Sequence, residues 1–387
     1  MNTVYVVGAA RSYIFLVQRG KNGVANTSLI SGLRPEVFGA QIRDGLFEAI
    51  NISPELVELF RLGSLVSQKA ENSMFHAPAK TIMRIGGRGC VSAVNAAIVE
   101  AACATGLVAI EEATEEIQLN RVDLALAGGI EMMSRHQDEV IQAVLRSPET
   151  GEMMWHLADK KTKALGISRE EMDIYSFESY ERTRQRKDKI LFYIVPTYLS
   201  EDKRSVLNCD EGALKGYSLE IIRKVRPIQG CELITAAHAS KYGDGAALAL
   251  LASENAVKKY FLKPLARVLA IESWSEFNPY DFIVAPNTAI PKAVQKAGLT
   301  MDQIGVFFIN EAFAPSPISF MKQFNVPRDK VNPEGGAIAD AHPFGASGAL
   351  RFVMLMDYLR RMQIRYGVLG ICAAGGEASA CVLELMP

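Results

Sequence analysis

The chain has 387 residues, 49% hydrophobic and 22% charged, the balance of a soluble globular protein of two or three domains. Its 42 basic and 43 acidic residues nearly cancel, which excludes the broad basic footprint of a nucleic-acid binder. No apolar run approaches the roughly 20 residues of a membrane span. The six cysteines form no C-x-x-C pair and read as reduced thiols, so a cytoplasmic protein is expected.

In chain order, "VYVVG" at 4–8 is a buried strand and turn, and no signal peptide is expected ahead of it. "AACATGLVAI" at 101–110 places Cys103 among small residues at the start of an amphipathic helix over 103–117. On that helix Cys103, Leu107, Ile110, Thr114 and Ile117 share one face, with Glu111, Glu112, Glu115 and Glu116 outward. "LALAGG" at 124–129 is the next buried strand. From 132 to 242 the chain turns charged and loses its long apolar runs, which predicts a helical and irregular insertion capping one end of the sheets. "GVFFIN" at 305–310, "GVLGIC" at 367–372 and "ACVLEL" at 380–385 are further strands, with a helix predicted over 348–363 and N-capped by Ser347. Alternating strands and helices give a layered α/β class.

Four stretches carry residues with chemistry. A thiol at the first turn of a helix feels partial positive charge, which favours thiolate; Cys103 is therefore either a nucleophile or a small core residue. His342 lies in "NPEGGAIADAHPFGASGALR", a glycine-rich loop that permits close approach to a base. Neither a serine-hydrolase elbow nor a P-loop fits that string. Asn310 and Glu311 stand at the carboxyl end of a strand, where open α/β sheets place ligands. Cys372 ends a strand before a glycine turn, which alone reads as a hairpin with a core cysteine. Zinc is a poor explanation for two cysteines and a histidine without ligand spacing, and no metal is expected.

Together the stretches resemble the thiolase family over nearly the whole chain. The resemblance is carried by "CATG" at 103–106, "GGIEMMS" at 128–134, "GISREEMD" at 166–173 and "ITAAHASKYGDGAALAL" at 234–250. It continues through "INEAFA", "NPEGGAIADAHPFGASGA" and "ICAAGGEASA". It implies a thiolase-like α/β fold of two similar five-stranded α/β/α halves with an inserted loop domain. The boundaries would be 1–131 plus 243–264 for the first half, 132–242 for the loop domain and 265–387 for the second half.

The resemblance also implies an acyl-CoA C-acyltransferase, joining two acetyl-CoA or cleaving 3-ketoacyl-CoA through an acetyl-cysteine intermediate. It needs no cofactor, coenzyme A being a substrate. Cys103 would be the nucleophile and His342 its base and an oxyanion donor. Cys372 would be the second acid or base, and Asn310 would position water in an oxyanion hole. The pantetheine arm would lie on Ser240, Ala236, Ala312, Phe313 and Met154, and the CoA phosphate on one of Arg204, Lys215, Arg223 or Lys224.

The sequence departs from the family at several points. Ala341 and Ala374 replace glycines, "VEAA" precedes Cys103, and Met153 replaces a loop-domain histidine. Alanine at 374 would carry backbone strain if that position needs positive φ. The stretch between Met132 and Met153 is short, which points to a homodimer over a tetramer. Two alternatives accompany the enzyme reading: a catalytically impaired acyl-CoA-binding relative, and a decarboxylating condensing enzyme, which normally needs two active-site histidines.

Overall fold

The computed structural model describes residues 2–20, 24–50, 52–66, 78–91, 94–147, 149–189, 191–199, 204–276 and 278–387. The chain opens with β1 (Val4–Arg11), a short β2 (Phe15–Leu16), α1 (Pro35–Ala49), β3 (Leu59–Gly63) and α2 (Pro78–Arg84). Next come β4 (Asn95–Val99), α3 (Thr105–Gln118) and β5 (Leu124–Met132). Between β5 and β6 (Gly243–Ser253) the charged middle forms α4 (Asp138–Val144), α5 (Met154–Ala164), α6 (Arg169–Arg186) and α7 (Leu219–Arg223), joined by irregular segments. After α8 (Glu254–Lys259) come β7 (Ala266–Ser275), α9 (Pro286–Lys296), β8 (Val306–Ile309), α10 (Pro315–Phe324) and α11 (Ala337–Asp340). The chain closes with α12 (Phe344–Met362), β9 (Tyr366–Ala373) and β10 (Glu377–Leu385).

The strands form one hydrogen-bonded path in the order β4-β3-β5-β6-β1-β7-β10-β9-β8, with β2 beside β6. It divides between β1 and β7, which share only the short register Val4↔Val268 to Val6↔Ala266. Outward from that junction the pairing directions repeat. β6 and β10 are antiparallel to their neighbours, and β3 and β8 are parallel to β5 and β9. The second half matches the first in every strand but the last. Where β4 pairs with β3, the second half has a single parallel bridge, Phe307↔Val331.

Hydrophobic layers follow the same plan. α1 and α2 cover the outer face of the first half with Phe38, Ile42, Leu46, Ile82 and Met83. α9 and α10 cover that of the second with Ile290, Val294 and Phe320. Between the halves lie α3 and α12, sharing one core with both, through Leu107, Ile110 and Ile117 from the first and Leu350, Val353 and Leu359 from the second.

Two glycines set how close the central helices come. A Cβ at Gly106 would stand 2.9 Å from Ala349 N and Gly345 O, and one at Gly348 only 2.5 Å from Leu107 N. Gly106 therefore serves helix packing. α12 also begins at Phe344, a turn before the predicted start, with Pro343 at its N-cap position. Ser347 lies inside the helix and donates to Pro343 O at 2.8 Å instead of capping. This helix is buried on every side from Phe344 to Leu359, because it lies between two layers.

Candidate active site

The two central helices also bring the chemistry together. Cys103 sits on a 3₁₀ turn, Ala102–Ala104, just ahead of α3, and the preceding Ala102 has a left-handed φ of +46°. Thr105 fixes that corner, accepting from Ala101 N at 2.7 Å and donating to Ala102 O. His342 occupies the matching place before α12. Cys372 comes from the end of β9, and Asn310 follows β8, tied by its N–H to Gly370 O at 2.8 Å.

Cys103, His342 and Cys372 line one cavity of about 790 Å³. Asn310 lies behind it, buried, and links two of them. Its side-chain amide is 3.4 Å from His342 Nε2 and donates to the Cys372 sulfur. Its Oδ1 is buried without a protein partner, an acceptor of the kind that water or a ligand satisfies. The Cys103 sulfur accepts from Ala374 N–H and feels the Cys372 sulfur electrostatically.

Charge states follow from this enclosure. His342 is buried, and its pKa falls to about 3, first from burial and then from the Arg351 charge. The ring is therefore neutral at physiological pH. Ser347 Oγ spends its hydrogen on Pro343 O, so it accepts from His342 Nδ1–H. That assigns the tautomer and makes Nε2, met by the Asn310 amide at 3.4 Å, the nitrogen that can take a proton.

Burial pushes the Cys372 thiol up to about 11, against hydrogen bonds from Asn310, its own N–H and Ser316. The Cys103 thiol also rises, chiefly from burial and then from Cys372, with Ala374 N–H opposing. This reverses the expected helix-terminus effect: desolvation outweighs the partial charge of a helix end. The acids that act on this thiol are Glu131 and Glu100, not the outward helix glutamates. Both sulfurs are therefore thiols at neutral pH, and Cys103 needs a base.

Ser240, Ala236, Ala312, Phe313 and Met154 all line the same cavity. The insertion is stitched to the second half there, by Ser240 N–H to Ala312 O at 2.9 Å and the Ala239↔Phe313 bridge. Arg204, Lys215, Arg223 and Lys224 are exposed and none of them lines the cavity. Arg223 is spent on Glu170.

At the glycine-replacing positions, strain falls on Ala341 (φ +83°) and not on Ala374, which is absent from the left-handed residues. Met153 is buried and does not line the cavity, whereas His156, one turn into α5, does. Sequence reasoning missed His156, Arg19, Lys241, Tyr242 and Phe344, which also line it. Only the "SKY" between Ser240 and Gly243 and the "HPF" after Ala341 hinted at three of these.

The arrangement can activate a thiol, hold an oxyanion and return a proton from a second thiol. Family models for the thiolase N-terminal and C-terminal domains match residues 4–255 and 262–385. The chain is 31% identical to acetyl-CoA acetyltransferase 2 of Arabidopsis thaliana, over 94% of this chain and 96% of the relative. It is likewise 31% identical to the steroid 3-ketoacyl-CoA thiolase FadA6 of Mycobacterium tuberculosis, over 99% and 94%. The human mitochondrial 3-ketoacyl-CoA thiolase solved with CoA superposes with a TM-score of 0.89 at 26% identity, covering 100% of this chain and 98% of that one. With both domain models matched almost end to end, this chain belongs to the thiolase family.

Proposed function

We propose that this protein is an acyl-CoA C-acyltransferase that moves an acetyl group between coenzyme A and acetyl-CoA through Cys103. His342 Nε2 takes the Cys103 proton, and the thiolate attacks the thioester carbonyl. The carbonyl oxygen becomes an oxyanion, for which the N–H groups of Cys103 and Ala374 would be the donors. Collapse expels the CoA thiolate, protonated by Cys372, and leaves S-acetyl-Cys103, a protonated His342 and Cys372 as the thiolate.

In synthesis Cys372 removes a proton from the α-carbon of a second acetyl-CoA. The enolate oxygen is held by His342 and by a water on Asn310, and the carbanion displaces Cys103. In thiolysis the order reverses, with Cys372 taking the incoming CoA proton. One thiol cannot hold the acyl group and shuttle protons at once, which is why two are required.

The observation that carries this reading is the one cavity that Cys103, His342 and Cys372 line together, with the Asn310 amide behind it 3.4 Å from His342 Nε2. The test is thiolysis of acetoacetyl-CoA by added CoA, followed as loss of the acetoacetyl-CoA absorbance. Wild type should turn over, and Cys103→Ala and His342→Ala should not. Turnover surviving in Cys103→Ala would remove the nucleophile from the scheme.

The arm of CoA would run along Ser240, Ala236, Ala312, Phe313 and Met154, small or apolar groups that suit a slim chain. A homodimer agrees with β4 standing at the edge of the sheet path, since an edge strand is a pairing surface. A cytoplasmic location agrees with the six free cysteines. Among the described residues no helix is long and apolar enough to cross a membrane.

A further inference from the structure

The acetyl-transfer scheme uses no lysine, yet Lys241 lines the cavity between Ser240 and Tyr242. Its carbonyl accepts from His342 N–H at 2.9 Å, so the residue is anchored to the catalytic loop. The amine meets Ala236 O at 3.3 Å and Ile338 O at 3.4 Å, and stands 5.4 Å from the Tyr180 ring. These are long contacts to neutral groups. Among the described residues no aspartate or glutamate lines the cavity. Arg19, the other strong base lining it, is held by Asp138.

A partly buried cation without a counter-charge is costly unless an anion arrives with the ligand. Burial alone pulls the amine down to about 8, with no charged neighbour opposing it. The thioester and the pantetheine arm are both neutral. The only anionic groups an acyl-CoA brings are its phosphates and any carboxylate on the acyl chain.

We propose that Lys241 is the anion-binding residue of this cavity, pairing with a carboxylate or phosphate oxygen that the substrate carries in. This rests on the cavity being an acyl-CoA site, as the acetyl-transfer reading requires.

The experiment is titration calorimetry of wild type, Lys241→Met and Lys241→Arg with glutaryl-CoA, pentanoyl-CoA, CoA and pantetheine. Lys241→Met should weaken at least one anionic probe about tenfold (1.4 kcal/mol), and Lys241→Arg should recover most of the loss. A loss on glutaryl-CoA that pentanoyl-CoA does not share identifies an acyl carboxylate. An equal loss on CoA and both thioesters, with pantetheine unaffected, identifies a phosphate.

Unchanged affinity for all four probes, or an equal loss that includes pantetheine, would overturn the proposal, as would failure of wild type to bind any of them. Acetoacetyl-CoA thiolysis by the same wild-type sample separates the two ideas. Lys241-dependent binding without turnover keeps the anion site and removes the reaction. Turnover with Lys241-independent binding does the reverse.

Discussion

At Asn310 a single carboxamide is asked to serve a histidine and a thiol, and the energetics can be tested there. Replacing an oxyanion-hole donor typically costs about 3 kcal/mol, or 10²–10³ in kcat. Asn310→Ala should lower acetoacetyl-CoA thiolysis by that factor with little change in KM; a loss under about fivefold would place the oxyanion elsewhere. The thiols give a second test. Because burial raises the Cys103 thiol, its labelling by iodoacetamide should climb steadily from pH 7 to pH 9, read by peptide mass spectrometry. A plateau already reached at pH 7 would mean a thiolate at rest. The four residues that meet at the cavity are legible in the sequence because short motifs carry them. Their protonation states are not. The helix-terminus argument for Cys103 sees a local partial charge, whereas the outcome depends first on burial and then on Cys372, remote in sequence. Ser347 was misread for a similar reason: its hydroxyl fits a cap, but Pro343 takes that place and frees it to orient His342.

Among the elements, α3 and α12 decide how Cys103 and His342 approach each other. They touch backbone to backbone at Gly106 and Gly348, and nothing beside Gly348 can yield, since the nearest atom is Leu107 N at 2.5 Å. Gly348→Ala should destabilise by about 1–3 kcal/mol through overpacking, seen as a lower urea midpoint. An unchanged midpoint would show that the helices can slide apart. Ala341 offers the contrary case. Glycine there would relieve a left-handed alanine but add unfolded-chain entropy and lose a buried methyl. Strands ending in glycine were readable, as were both central helices. β4, "NAAIV", is too short and small to stand out, and β7, "ARVLAIESWS", mixes apolar and polar residues without a clean period. The correspondence of the two halves shows in pairing direction and not in identity, which is why the sequence carries no visible repeat.

Across the whole molecule a buried charge relay ties the insertion to both halves. Arg11 on β1 meets Asp210 at 2.8 Å, and Arg186 on α6 meets Asp210 and Asp340 at 2.9 Å each. Asp340 also holds Arg351, whose charge acts on His342. Arg186→Met should cost about 3–5 kcal/mol, because two buried carboxylates lose a partner; a urea midpoint within experimental error of wild type would deny the relay a structural role. Acid should weaken the fold as well. His342 refuses a proton down to about pH 3 while the unfolded chain takes one near 6.5, so this residue makes stability fall as pH drops through that window. Asp244, raised to about 6 by burial, works in the opposite sense between about 6 and 4. The comparison that isolates His342 is therefore the pH slope of wild type minus that of His342→Gln, expected to be positive; equal slopes would mean the ring is solvated.

The most direct measurement is peptide mass spectrometry after incubating the folded protein with acetyl-CoA and quenching in acid. An acetyl group on the Cys103 peptide, with the Cys372 peptide unmodified and no label in His342→Ala, is the expected result. A Cys103 peptide that stays unmodified while circular dichroism reports an intact fold would contradict the account.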